Sequence, residues 1–282
     1  RSKYSRFSKD LNQSKPMSLI EAIILGIVQG LTEFLPVSSS GHIELVKAIQ
    51  NTNVEEDLLF TVFLHLATAL STIVVFRKDI LDLLKGVLKF QLNDETKFTG
   101  FIILSMIPAA LVGLLWKDEI ETLFDRNVVL VGAMLLITGV LLYISDRVTD
   151  NKDKPLNPVI AGIMGLVQSF AILPGVSRSG STIVTGVLLG VSREKAARFS
   201  FLMVLPLIIG VAAKSLKDFM ELPAAQTANT PIFEMSMGFI AAFISGLFAI
   251  RWMIKLVEKS QLKWFAFYCF IVGISALVYS FV

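Results

Sequence analysis

Two stretches of the chain, each broken in its middle, decide the fold. Residues 26–42 read GIVQGLTEFLPVSSSGH, and residues 165–180 read GLVQSFAILPGVSRSG. Each is flanked by apolar sequence and interrupted by proline, glycine and serine. Proline and glycine are the residues least compatible with the interior of a helix. Each stretch therefore predicts two short helices joined by a break.

The composition around these stretches is that of a membrane protein. Of the 282 residues, 54% are hydrophobic and only 17% are charged, with a mean hydropathy of +0.69. A soluble domain carries about 25% charged residues, so the apolar excess here must face lipid. The net charge of +3, without a long basic run, excludes nucleic acid as a partner. The single cysteine, Cys269, excludes a disulfide framework and a cysteine metal site.

Apolar runs of bilayer length, about 20 residues, predict six transmembrane helices. They lie at 58–76, 98–116, 127–145, 199–216, 235–257 and 264–282. Non-helical backbone survives at membrane depth only where protein or a water-filled cavity shields it. We therefore predict re-entrant hairpins at 18–50 and 159–190. The expected fold class is an all-α polytopic membrane protein with six transmembrane helices plus two re-entrant helix hairpins.

The two broken stretches also match each other. At an offset of 139 residues, seven of sixteen aligned positions are identical. One hairpin and three spans make an odd number of crossings, so we predict inverted-topology repeats with a binding site at the midplane. A single membrane domain is expected at 17–282, with repeat 1 at about 17–146 and repeat 2 at about 155–282. The polar, basic residues 1–16 are expected to be a non-native or disordered leader.

Lysine and arginine in the short loops predict the orientation. With the first hairpin placed outside, fifteen of these residues lie on the inner side and five on the outer side. This count, which leaves out residues 1–16, predicts that both termini are outside.

The first hairpin carries candidate acid–base residues. Gln29 and Glu33 are four residues apart and so share a helix face. A carboxylate inside a membrane is costly unless it has a partner or a wet cavity. Glu33 is therefore a candidate site residue, and the alternative is a purely structural pair with Arg178.

A serine-rich turn follows Glu33. It consists of Ser38, Ser39, Ser40, Gly41 and His42. The amides of such a turn can form an anion-binding nest, and the hydroxyls supply donors or a nucleophile. The histidine can move a proton near neutral pH. The alternative is that the serines cap a helix, with Ser38 as the first candidate.

The second hairpin predicts phosphate binding. Its candidate residues are Gly175, Ser177, Arg178, Ser179 and Gly180, at a Pro-Gly break leading into a helix. The N-terminus of such a helix presents free N–H groups and the positive end of the helix dipole, and Arg178 adds a guanidinium. Together with Glu33 and His42, this set suits binding and cleavage of a phosphate ester or anhydride of a lipid. His65 is interpreted as a packed interior histidine, with lining of the site as the alternative.

These motifs closely resemble those of the bacterial undecaprenyl-pyrophosphate phosphatases of the bacitracin-resistance type. The resemblance continues through Met106-Ile-Pro-Ala, Gly190-Val-Ser-Arg193 and Phe199-Ser-Phe-Leu, and so covers 17–282. The family's (Glu/Gln)-x-x-x-Glu motif corresponds to Gln29 and Glu33, its Ser-Ser-(Ser/Thr)-Gly-His motif to 38–42, and its Pro-Gly-x-Ser-Arg-Ser-Gly motif to 174–180.

The resemblance implies hydrolysis of undecaprenyl diphosphate to undecaprenyl phosphate and inorganic phosphate. This recycles the lipid carrier of peptidoglycan synthesis at the outer (periplasmic) face of the bacterial cytoplasmic (inner) membrane. It also implies a divalent cation, Mg²⁺ or Ca²⁺, near Glu33 and Gln29. Some members carry glutamate where this chain has Gln29, which leaves Glu33 as the only carboxylate in the motif here. The expected partners are the lipid substrate and the bilayer, and a homodimer is also considered.

The expected mechanism has Arg178 and the amides of 177–180 hold the diphosphate. Ser39 attacks the terminal phosphorus while His42 shuttles the proton. A phosphohistidine at His42 is a rival that the sequence does not separate from the first route. A transporter or flippase of polyprenyl phosphate is the alternative function, because inverted repeats with midplane breaks are typical of transporters. The serine, histidine and glutamate beside Arg178 favour an enzyme, since transport needs no nucleophile.

Overall fold

The computed structural model describes residues 18–50, 58–123, 127–148, 153–221 and 231–281, and no strand occurs within them. The predicted leader at 1–16 lies outside the described residues. In chain order the helices are α1 (Leu19–Thr32), α2 (Ser39–Gln50), α3 (Leu58–Val75), α4 (Arg77–Val87), α5 (Asp94–Leu115), α6 (Lys117–Leu123), α7 (Val128–Asp146), α8 (Pro158–Phe170), α9 (Arg178–Leu188), α10 (Arg193–Met220), α11 (Ile232–Glu258) and α12 (Lys263–Tyr279).

Both predicted breaks are present, and local sequence explains where their helices begin. In α1, the hydroxyl of Ser18 accepts from the amide of Glu21, whose carboxylate accepts from the amide of Ser18. This reciprocal pair is a capping box. Asn157 caps α8 in the same place, and Pro158 follows at the first turn, where a missing N–H costs nothing. The first hairpin is therefore α1 and α2, and the second is α8 and α9.

Every predicted span corresponds to a helix, although not all are long enough to cross a membrane alone. Helices α5, α7, α10 and α11 have the length and hydropathy of a span. Helix α3 qualifies together with α4 as a pair bent by 78°. Helix α12 is a shorter apolar helix of 17 residues. Among the described residues there are thus four or five candidate spans, and the arrangement with six stays a prediction.

Two helices lie in segments that the hydropathy pattern leaves between spans. Helix α4 carries Ile80 and Leu84 on one face and Lys78 and Lys85 on the opposite face. Its mixed composition is too polar for a span but has the periodicity of an amphipathic helix. Helix α6 has only 7 residues, four of them charged, and so gives no apolar signal.

The two halves interlock through reciprocal packing. Helix α1 packs against α11, and its counterpart α8 packs against α5, the counterpart of α11. Helices α7 and α12, which also correspond, pack against each other, as do α3 and α10. Each hairpin therefore rests on a long helix of the other half, which brings the two breaks together in the interior.

The turns of the two hairpins touch through two equivalent contacts. A Cβ added to Gly41 would lie 2.9 Å from the Cα of Gly175, and one added to Gly180 would lie 3.1 Å from the Cβ of Pro36. At the offset of 139 residues Gly41 corresponds to Gly180 and Pro36 to Gly175, so the same contact occurs twice with the halves exchanged. Gly175 has φ +94°, which a residue with a side chain rarely adopts. This approach places the starts of α2 and α9 side by side.

Candidate active site

Both hairpin turns lead into a helix capped by serine. The amide of Gly41 donates to the hydroxyl of Ser38 at 3.2 Å, and the amide of Gly180 donates to that of Ser177 at 3.1 Å. Both serines are buried. The expectation that Ser38 caps α2 is confirmed, and Ser177 caps α9 in the same way. Their predicted contact with a phosphate stays a prediction.

Glu33, just past the end of α1, is the centre of the site. The residue is only 7% exposed. One carboxylate oxygen accepts from the guanidinium of Arg178. The other accepts from the hydroxyl of Ser39 at 2.6 Å and from the amide nitrogen of Gln29 at 3.0 Å. The predicted pairing of Glu33 with Arg178 is confirmed, and it lies among the candidate hydroxyls rather than apart from them.

His42 lies at the edge of the site with both nitrogens engaged. Its Nδ1 is 2.8 Å from the carbonyl oxygen of Ser38, which can only accept, so Nδ1 carries a proton. In the neutral ring Nε2 is then an acceptor, and the hydroxyl of Tyr268 donates to it at 2.7 Å. Ser39 donates to Glu33, whereas the expected mechanism has His42 take its proton. Glu33 is therefore the base that the geometry offers to Ser39.

Tyr268 is a site residue that the sequence reading missed. It comes from α12, far from both motifs in sequence. A tyrosine inside an apolar helix usually finds a hydrogen-bond partner for its hydroxyl, and that was the available signal. The sequence does not say which partner, because the rotation of α12 is set by its packing on α7.

His65 lies at the site, so the interpretation as a packed histidine is wrong. Its Nδ1 is 2.8 Å from the carbonyl oxygen of Thr61 in the preceding turn of α3. Its Nε2 faces the second oxygen of Glu33 at 3.9 Å. A third of the His65 side chain is exposed.

The second turn is held in place by Thr138 of α7, which the sequence did not single out. The hydroxyl of Thr138 donates to the carbonyl of Gly175 at 3.2 Å and accepts from the amide of Ser177 at 3.1 Å. The amides of Ser177 and Gly180 are therefore already engaged within the protein. Of the four amides expected to form the nest, those of Arg178 and Ser179 are the ones at the free first turn of α9.

The remaining two serines flank the caps. The hydroxyl of Ser40 lies 3.4 Å from that of Ser38, and the hydroxyl of Ser179 lies 3.4 Å from that of Ser177. Ser179 is buried, whereas Ser40 is partly exposed. Ser40 is thus the better placed of the two to meet a ligand.

The site offers few ligands for a divalent cation. No group of three or more His, Cys, Asp or Glu residues suited to a metal occurs in the part of the chain that the structure describes. The carbonyl oxygen of the Gln29 side chain is buried without a hydrogen-bond partner among those residues. One carboxylate and one amide oxygen fit a cation only if a ligand supplies further oxygens, as phosphates do.

The fold and the site together define the class of protein: a helical membrane protein whose site lies where two broken hairpins meet. This site contains an ion pair, hydroxyls and a histidine. The chain belongs to the family described as "Bacitracin resistance protein BacA", whose pattern matches residues 22–275. The resemblance drawn from the motifs is thereby confirmed.

Several relatives match nearly the whole chain. "Undecaprenyl-diphosphatase" of Christiangramia forsetii is 55% identical, over 94% of this chain and 99% of the relative. A protein of the same name from Bacteroides fragilis strain ATCC 25285 is 46% identical, over 94% and 99%. One from Methanobrevibacter smithii is 39% identical, over 92% and 96%.

Proposed function

We propose that this protein hydrolyses undecaprenyl diphosphate to undecaprenyl phosphate and inorganic phosphate, and so recycles the lipid carrier of peptidoglycan synthesis. The observation that carries the proposal is the contact of Glu33 with both Arg178 and Ser39. It unites an anion-binding cation, a hydroxyl nucleophile and a base in a chain whose relatives are named undecaprenyl-diphosphatase. The chain is accordingly a phosphatase, a membrane hydrolase of the BacA family.

Arg178 is the residue that we propose binds the diphosphate. Its guanidinium has five N–H donors, and one nitrogen is engaged with Glu33. The other donors, with the first-turn amides of α9, are suited to phosphate oxygens. Without substrate, Glu33 compensates the charge of Arg178. A bound diphosphate would share the guanidinium of Arg178 with Glu33.

Ser39 is the proposed nucleophile. Its hydroxyl oxygen forms a bond to the terminal phosphorus while the bond from that phosphorus to the bridging oxygen breaks. Undecaprenyl phosphate leaves, and the hydroxyl proton passes to Glu33, which already accepts it at 2.6 Å. Water then attacks the phosphorus, the bond from phosphorus to the oxygen of Ser39 breaks, and Ser39 takes back the proton that Glu33 holds. Inorganic phosphate leaves with both hydrogens of the water. In the rival route, Nε2 of His42 would have to break its hydrogen bond to Tyr268 and form a bond to the terminal phosphorus.

We place the divalent cation, Mg²⁺ or Ca²⁺, beside Glu33 and the amide oxygen of Gln29, which has no hydrogen-bond partner among the described residues. Magnesium ions in proteins are often held by one or two carboxylates together with substrate phosphates. The bound cation would supply positive charge against the diphosphate oxygens. Because Gln29 also donates to Glu33, it holds the carboxylate in position with or without a cation.

The finer arrangement in the membrane is also a proposal. It comprises six transmembrane helices, two re-entrant hairpins, both termini outside and a site open to the outer face of the bacterial inner membrane. The bias of lysine and arginine supports the orientation. Thiol labelling of single-cysteine variants, in a background where the buried Cys269 is replaced, tests it from each side of the membrane. The homodimer stays a prediction, tested by light scattering of the purified protein in detergent.

A phosphate-release assay on detergent-solubilised protein tests the proposed function. Wild type should release phosphate from undecaprenyl diphosphate, EDTA should suppress the release, and an added divalent cation should restore it. The His42→Ala variant should be impaired. No release under any of these conditions would refute the proposal. The names of the relatives give no support to the alternative of a transporter.

A further inference from the structure

An apolar cavity lies against the active site. It has a volume of about 450 Å³ and is formed where the end of α1 meets the end of α11 and the start of α12. Its walls include Leu31, Leu35, Leu256, Trp264 and Phe265. Among the described residues no charged side chain lines it, so the cavity suits an apolar occupant.

The cavity meets the active site at two places. Tyr268 lines the cavity, and its hydroxyl contacts Nε2 of His42 at 2.7 Å. Thr32, which also lines it, directly precedes Glu33. The hydroxyl of Thr32 donates to the carbonyl of Val28 in its own helix, so it needs no hydrogen-bond acceptor from the occupant. An apolar space thus begins one residue away from the carboxylate and one side chain away from the histidine.

Exposed aromatic rings flank the cavity. Trp252 and Trp264 are 52% and 63% exposed. Trp252 packs edge-on against Phe265, with ring centroids 6.2 Å apart. Such rings offer a broad apolar contact to a chain that runs out of the cavity into lipid. The volume is that of a site for a drug-sized ligand, so it holds only the part of a long chain next to the headgroup.

We propose that this cavity binds the first isoprene units of the substrate, and that Tyr268 stands between the chain and the diphosphate. The inference rests on the proposed function, since it concerns the chain of the same substrate. The cavity then contributes to affinity through burial of apolar surface, whereas Arg178 and the hydroxyls bind the headgroup. An annular phospholipid is the other occupant, and the experiment below distinguishes the two.

The test uses a variant with a narrower cavity and measures the binding of the lipid chain and of the headgroup separately. In Leu256→Trp, a larger ring fills part of the cavity. We expect the KM for farnesyl and undecaprenyl diphosphate to rise about tenfold, the usual effect of disturbing one or two methylenes in an apolar pocket. The inhibition constant of methylenediphosphonate, which has no chain, should stay within about twofold of wild type, as should kcat. The matched control is Leu114→Trp, at a 71% exposed leucine of α5, and should change neither quantity.

An unchanged KM in Leu256→Trp overturns the proposal, and so does a parallel rise of KM and of the inhibition constant. A second measurement does not depend on turnover. A benzophenone-bearing farnesyl phosphate should photolabel α11 and α12 in wild type and label Leu256→Trp several-fold less. Equal labelling of these helices by a benzophenone phospholipid would identify the occupant as annular lipid. If wild type releases no phosphate but the prenyl probe still labels the cavity, the proposed function fails while the binding site stands.

Discussion

Ser39 and Arg178 contact opposite oxygens of one carboxylate, that of Glu33, from equivalent positions in the two halves of the chain. Each is the first residue of the second helix of its hairpin, and the offset of 139 residues relates them. Glu33 has no acidic counterpart, because Ile172 occupies the equivalent position in the second half. The repeat therefore supplies two like helix starts, and divergence at single positions makes one a nucleophile and the other a cation.

Replacing Arg178 with alanine should abolish turnover and destabilise the protein. Loss of one partner of a buried pair leaves the charge of Glu33 uncompensated, which costs about 3–5 kcal/mol. Phosphate release and thermal unfolding in detergent measure the two effects. The double variant Arg178→Ala with Glu33→Ala should recover stability without activity. Arg198→Ala, which breaks a partly exposed pair with Asp79, is the matched control and should cost about 1 kcal/mol or less. Activity near wild type in Arg178→Ala would contradict the assignment.

Ser39→Ala should remove both turnover and the phospho-enzyme. Rapid quenching of wild type with substrate labelled at the terminal phosphate should trap an acid-stable phosphoserine at position 39. Ser40→Ala removes a neighbouring hydroxyl, which lies 3.4 Å from that of Ser38, and should still form the phosphoserine at position 39. An acid-labile phosphohistidine at His42 would instead establish the rival route.

Tyr268→Phe should distinguish two effects of Tyr268, the hydrogen bond that holds His42 in position and the contact of its ring with the lipid chain. The ring stays against the cavity, while the hydrogen bond to Nε2 of His42 is lost. A neutral hydrogen bond contributes about 1 kcal/mol, so kcat should fall roughly fivefold with KM little changed. Tyr279→Phe, at a 56% exposed tyrosine of the same helix, is the control. An equal loss in both variants would show that the hydroxyl at position 268 has no specific role.

The broken hairpins and the central ion pair could be predicted from the sequence. Unpaired backbone groups and uncompensated charges both cost much free energy inside a membrane. Proline and glycine break a helix, and a buried carboxylate needs a cation. The partner of Ser39 could not be predicted, since it depends on where α2 starts relative to the end of α1. The role of Tyr268 depends on the rotation of α12 against α7, which neighbouring side chains decide. The predicted span ends at residue 76, where α3 bends into α4, but hydropathy does not give the angle of 78°.

Gly41→Ala should destabilise the protein, because the added Cβ would lie 2.9 Å from the backbone of Gly175. The two turns would have to separate, at a cost of about 1–3 kcal/mol, and Ser39 would move relative to Arg178. We therefore expect a lower unfolding temperature together with reduced phosphate release. Gly100→Ala is the matched control, because nothing lies within 4 Å of its added Cβ. It should be neutral or stabilise α5 by up to about 1 kcal/mol. Equal effects of the two variants would show that the contact between the turns is not tight.

Gln29→Glu should tighten the binding of the divalent cation. The change adds a second carboxylate four residues before Glu33, on the same face of α1, where the amide oxygen has no hydrogen-bond partner among the described residues. Two carboxylates with the diphosphate oxygens form a stronger set of ligands for Mg²⁺ or Ca²⁺ than one. After EDTA treatment, the variant should regain half of its activity at a several-fold lower cation concentration than wild type. Gln29→Ala should need a higher one. The same concentration in all three proteins would place the cation elsewhere, and Gln29 would then serve only to hold the carboxylate of Glu33 through its 3.0 Å hydrogen bond.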